Sequence, residues 1–258
     1  MNRRRFLYPT LPLSAASLVS KAYAGETLEE KGKRFLSALP INPFDGHTRM
    51  ILEYAMDRQN SGASGKVKLN VYPGESGYEA TIGVSAKGIW GLNLFGGDPE
   101  SAGSVFTPNG HHLHSQEFWT ADHYRRDITF EDSYIKGMST HPGEPLDSTI
   151  RQDDILDPIV LILQWMFFEK NEFGVFPTVN YGPEGMTKTP IETERSPHGS
   201  DHALIIKYPN ELLGKLIGDI SLNYCSVNGR RIPVEGHVPS YKKHEYKVKL
   251  IRAEVTHA

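Results

Sequence analysis

Residues Pro158–Phe168 read PIVLILQWMFF, apolar throughout except for Gln164. Asp157, just before them, suits the capping position of a helix, and Pro158 suits its first turn. A helix this short with large apolar side chains around its whole axis must be buried on all faces rather than on one. It is too short for the roughly 18 to 20 apolar residues that cross a bilayer. Charged Glu169 and Lys170 follow directly, and the segment lacks the polar face of a helix lying on a membrane. The rest of the chain must therefore wrap around this segment, and its patterning says what does the wrapping.

That patterning is alternation. Val67, Leu69 and Val71 alternate with Lys66, Lys68 and Asn70, and Tyr78, Ala80, Ile82 and Val84 alternate with Glu79, Thr81, Gly83 and Ser85. With Pro73-Gly74 between them, the two runs predict a half-buried antiparallel hairpin. Further strands are expected at Gly88–Phe95, Gly103–Phe106, Ser115–Thr120, Tyr124–Phe130 and Tyr246–Val255. Asn228-Gly229 between Asp219–Val227 and Arg230–Val238 favours a tight hairpin turn with left-handed backbone at both residues. A short polar helix is expected near Leu28–Leu39. The fold expected is mainly β: a curved antiparallel sheet, barrel-like or half-barrel, around one buried apolar helix.

The N-terminus, MNRRRFLYPTLPLSAASLVSKAYA, has a basic start, a modest apolar stretch from Leu11 to Ser20, and the small residues Ala22 and Ala24, which together predict a cleaved export signal. Arg3-Arg4-Arg5-Phe6-Leu7 matches the order of residues in a twin-arginine motif, and Lys21 and the weakly apolar stretch suit that route. The expectation is a signal peptide at 1–24 and a single soluble periplasmic domain at 25–258, with no transmembrane span. Losing residues 1–24 removes four positive charges and no acidic ones, which takes the net charge from −3 to −7. Nucleic acid is then a poor partner, because it needs clustered positive charge. Cys225, the single cysteine, reads as a small buried apolar residue.

The order of these elements resembles a known family. Tyr54 in ILEY, the YEATIGVSAKG run, YRRDITFED, the Asp157-Pro158 apolar helix and GRRIPVEG before a closing strand are together similar, over roughly residues 49 to 255, to the periplasmic domain-of-unknown-function family 3108. The resemblance implies a curved, barrel-like antiparallel sheet, similar in outline to periplasmic envelope-integrity proteins and lipoprotein carriers. It transfers no catalytic residues.

The sequence carries no catalytic constellation. It has no Gly-x-Ser-x-Gly elbow, and Ser200 in HGSDH has histidine and aspartate only as chain neighbours. Two histidine pairs, His112 with His114 and His198 with His202, form the metal alternative: on a regular strand His112 and His114 would share one face about 7 Å apart. No cofactor is implied beyond that metal ion, and a metal-dependent hydrolase is the corresponding alternative function. Arg230-Arg231 can clamp an anion or protect a sheet edge. The aromatics Trp90, Phe118, Trp119, Tyr124 and Trp165 exceed what one helix in one sheet requires, and they mark a lining for an apolar ligand. The function expected is non-enzymatic binding of an apolar envelope component, or of an envelope protein.

Overall fold

The computed structural model describes residues 25–58, 64–75, 77–87, 101–108, 112–119, 124–144, 146–150, 155–168, 173–182, 185–196, 203–207, 219–240 and 244–257, with the backbone alone at 84–87, 112–119, 124, 180–182, 189, 239–240 and 244. Two helices, α1 (Leu28–Ala38) and α2 (Pro158–Phe167), accompany fourteen strands among these residues. The strands are β1 (Thr48–Arg58), β2 (Ser64–Gly74), β3 (Gly77–Lys87), β4 (Ser101–Phe106), β5 (His112–Trp119), β6 (Tyr124–Phe130), β7 (Tyr134–Ser139), β8 (Asp147–Ile150), β9 (Gly174–Gly182), β10 (Gly185–Arg195), β11 (Ala203–Lys207), β12 (Ile220–Val227), β13 (Arg230–Ser240) and β14 (His244–His257).

The strands form one sheet in the order β8 to β1, then β14 to β9. Chain neighbours pair as hairpins, which suits the short turns and two-residue alternation of the sequence. The long-range exception is β1 with β14, from Thr48 opposite His257 to Arg58 opposite Tyr246. That pairing joins two meanders into one antiparallel surface. Asn228 (φ 52) and Gly229 (φ 76) carry the left-handed backbone expected of the Asn-Gly turn. β2 runs through Pro73 and Gly74, so the chain reverses one step later than the sequence suggests.

The sheet curls without closing into a barrel. Its edge strands β8 and β9 share no ladder, and three single ties link the two ends of the sheet, two between β8 and β10 and one between Leu156 and β9. Asp147 accepts from the Met186 amide, Lys188 Nζ donates to the Ile150 carbonyl at 2.9 Å, and Leu156 forms a lone parallel bridge with Thr178.

The two helices occupy opposite faces of β12 and β13. Tyr224 and Cys225 are consecutive, so they point to opposite sides. The Trp165 ring of α2 stands edge-on to Tyr224 at 5.4 Å, while α1 rests on Cys225 at Gly32. A Cβ at Gly32 would come within 2.4 Å of Cys225 Sγ, so the helix sits as close as only glycine allows. α1 begins at a capping box in which Thr27 and Glu30 satisfy each other's amides.

α2 lies in the concavity as expected, capped by Asp157, whose Oδ1 accepts from the Val160 amide at 2.9 Å. The buried Ser104 hydroxyl donates to the other oxygen of Asp157, which ties the start of α2 to β4. Burial of α2 is less complete than its composition suggests. Ile159, Val160, Leu163, Met166 and Phe167 are buried, but Leu161, Ile162 and Phe168 are only partly so. Leu161, Trp165 and Phe168 share a core cluster with Ile82, whereas Ile128 and Phe130 form a separate cluster with Ile135, Ile155 and Val179. The side of α2 that composition assigns to close packing instead borders a cavity.

The expected strand at Gly88–Phe95 and the expected signal at 1–24 lie outside the described residues. Cys225 is buried as expected, and burial pushes its thiol up to about 11.

Candidate functional site

An apolar cavity of about 350 Å³ separates α2 from the inner face of the sheet. Tyr54, Val67, Leu69 and Ile82 line it from β1 to β3, Ile206, Leu222 and Val248 from the other meander, and Leu161, Ile162 and Trp165 from α2. The cavity follows from geometry: alternation brings apolar residues inward from strands of both meanders, and one ten-residue helix is too slender to fill the sheet curled around it. Its volume falls at the lower end of the roughly 300 to 1,000 Å³ usual for small-molecule sites.

Tyr54, Thr193 and Glu235, polar residues on this lining, are engaged elsewhere. Tyr54 donates its hydroxyl to the Pro233 carbonyl at 3.2 Å, and burial pushes its pKa well above the ordinary tyrosine value. Thr193 Oγ1 accepts from the Gly174 amide at 3.1 Å, holding the start of β9 against β10. Glu235, at the rim, faces Lys247 at 3.1 Å and Lys249 at 3.8 Å. Alternation along β14 points Val248 into the cavity and the two lysines, with the Glu235 carboxylate opposite Lys249 in the ladder, to the outer face.

An aromatic plug packs at the C-terminal end of α2, apart from the residues that line the cavity. Phe44 stacks on Phe168 at 5.1 Å and meets Tyr78, Phe106 and Phe167 edge-on at 5.0, 5.3 and 6.0 Å. Asp45 positions this plug by accepting from the His47 and Thr48 amides, and the Gly46 amide donates to the Tyr78 hydroxyl at 2.8 Å. Sequence reasoning missed Phe44, because the NPFDG stretch around it carries turn signals and no alternation.

Of the five aromatics expected to line a ligand site, the structure sets Trp165 on the cavity wall. Phe118 and Trp119 lie on β5 and Tyr124 on β6, with Trp119 opposite Tyr124 in the ladder; Trp90 lies outside the described residues. Among the histidines, His198 and His202 also lie outside them. His112 and His114 do not sit on a regular stretch of strand: Phe106 pairs with His112 and Val105 with His114, so a register shift interrupts the two-residue alternation between them. Among the described residues, no group of three histidine, cysteine or carboxylate side chains is arranged to hold a metal.

The paired arginines take a role the sequence did not suggest. Arg230 donates to the Leu39 and Ile41 carbonyls beyond the end of α1. Arg231 donates to the Trp165 carbonyl at 3.0 Å and lies 5.7 Å from the centre of its ring. Both guanidinium groups thus brace helices from the Asn-Gly turn. In place of an anion clamp, β13 carries a pair of struts, one to each helix. Among the described residues, no helix is long and apolar enough to cross a membrane.

No family model matches the chain, and no curated protein matches it. Among solved structures, the chain is similar to a beta-barrel-like protein of domain of unknown function DUF1849 from Brucella abortus, with 11% identity and a TM-score of 0.44 over 81% of this chain and 98% of that one. It is also similar to a DUF1329 family protein from Desulfovibrio piger, with 10% identity and a TM-score of 0.26 over 88% of this chain and 92% of that one. Both are domains of unknown function, and the first is described as beta-barrel-like.

Proposed function

We propose that this is a non-enzymatic periplasmic protein of the cell envelope that holds an apolar envelope component between α2 and its sheet. The observation that carries the reading is the cavity of about 350 Å³ with its nearly all-apolar lining. Empty space of this kind costs stability, since side chains on its wall lack the neighbours that close packing would provide. A ligand would restore them. The export signal read at residues 1–24 supplies the compartment, and the remaining chain acts as one domain on this reading. Its place beside the periplasmic domain-of-unknown-function family 3108, whose motifs it resembles, belongs to the same proposal.

Native mass spectrometry of protein recovered from periplasm tests the reading directly. The expected result is co-purified apolar mass, together with a rise in melting temperature when delipidated protein is given envelope lipid extract. Ligand at a hundredfold over its Kd would add about 2.7 kcal/mol. Consistently bare protein with an unchanged melting temperature would count against it.

A further inference from the structure

Resting on the cavity reading above, we infer that the cavity selects an uncharged apolar molecule and rejects amphiphiles with an anionic head, such as fatty-acid carboxylates. No lysine, arginine or histidine is among its described lining residues, and its ionisable groups there are Tyr54 and Glu235. Tyr54 stays neutral and its proton is committed to the Pro233 carbonyl. Glu235 stands opposite Lys249 in the ladder and its carboxylate is held by Lys247 and Lys249, so it points with them to the outer face. A carboxylate drawn in behind its chain would therefore lose its water and find no cation among the described lining residues. Burying an ion without a partner costs far more than burying methylene groups gains. Thr193 Oγ1 is held by the β9–β10 contact and offers no substitute anchor. The volume adds a size limit: it suits one chain or a compact ring system rather than the two chains of a phospholipid.

The experiment uses delipidated full-length mature protein and the neutral fluorophore N-phenyl-1-naphthylamine, displaced by 1-dodecanol or by dodecanoate at pH 8. These competitors share a chain and differ in the head. The expected result is displacement by dodecanol at a concentration lower by on the order of tenfold or more. Binding of the fluorophore should be lost in Leu161→Trp, which fills the cavity from α2, and weakened in Val175→Trp at its exposed edge. The second variant keeps the test decisive should the first fail to fold. Dodecanoate displacing as well as dodecanol, from a site that both variants block, would overturn the selection for uncharged ligands while leaving the cavity reading intact. Absence of fluorophore binding, or binding that neither variant alters, would overturn the cavity reading and this inference with it.

Discussion

Arg126 and Glu144 lie 18 residues apart in sequence, and their side chains are 3% and 4% exposed. Arg126 Nε donates to both carboxylate oxygens at 3.2 and 3.0 Å, and its Nη2 donates to one of them. Burial acts to raise the pKa of Glu144. Hydrogen bonds from Arg126 and Ser139, with the charges of Arg126 and His141, outweigh it and hold the carboxyl below its ordinary value. Because the folded pKa is depressed, the stabilisation is present above the ordinary glutamate value and is lost as pH falls through the folded one. We expect Glu144→Ala, which leaves the guanidinium buried without its carboxylate, to cost about 3 to 5 kcal/mol in urea unfolding at pH 7. The double variant Arg126→Met/Glu144→Leu should cost less than either single change, since it removes both charges together. The advantage of wild type over Glu144→Gln should shrink on titration below about pH 4.5. An unchanged difference from pH 7 to pH 3 would refute the assignment.

At the scale of elements, α2 concentrates the core. Trp165 packs edge-on against Tyr224, lies under Arg231 and forms part of the cavity wall. Trp165→Ala should destabilise the protein by about 3 to 5 kcal/mol, the usual range for truncating a buried large aromatic. That is comparable with the whole margin of many domains, so the melting temperature should fall steeply. An unchanged melting temperature with loss of ligand or membrane association would instead make α2 a docking element. The position and capping of α2 are legible in DPIVLILQWMFF. Its incomplete burial is not, because composition reports how much apolar surface must leave water and says nothing of the radius of the surface that receives it. α1 shows the same limit. A short polar helix is legible near Leu28–Leu39, but nothing local indicates that Gly32 must be glycine to admit the Cys225 sulfur, on a strand nearly two hundred residues away.

For the whole molecule, the seam between β8 and β9 is where an almost closed sheet stays open. Across it β8 is joined to β10 by two single hydrogen bonds rather than to β9 by a ladder, and ties of this kind open at lower cost than paired strands. We expect Asp147→Ala combined with Lys188→Ala to speed amide exchange in β8, β9 and the start of β10, with β1 and β14 unchanged in hydrogen–deuterium exchange mass spectrometry. Both ties run from side chain to backbone, so the double variant severs them without disturbing a ladder. Equal acceleration throughout the sheet would mean that the seam is no weaker than the paired strands.

The sequence by itself determined the class of structure, because its signals are local. Two-residue alternation specifies strands with one apolar face, Asn228-Gly229 specifies a turn whose backbone both residues tolerate, and an almost wholly apolar segment behind Asp157-Pro158 specifies a helix that must be enclosed. Only the tertiary structure decided what those elements enclose. The β1–β14 pairing, the placing of α1 and α2 on opposite faces, the turning of Arg230 and Arg231 onto helix carbonyls and the space left beside Leu161 and Ile162 all depend on how far the sheet curls. Curl accumulates from small twists and register shifts over fourteen strands, and no window of sequence contains that sum.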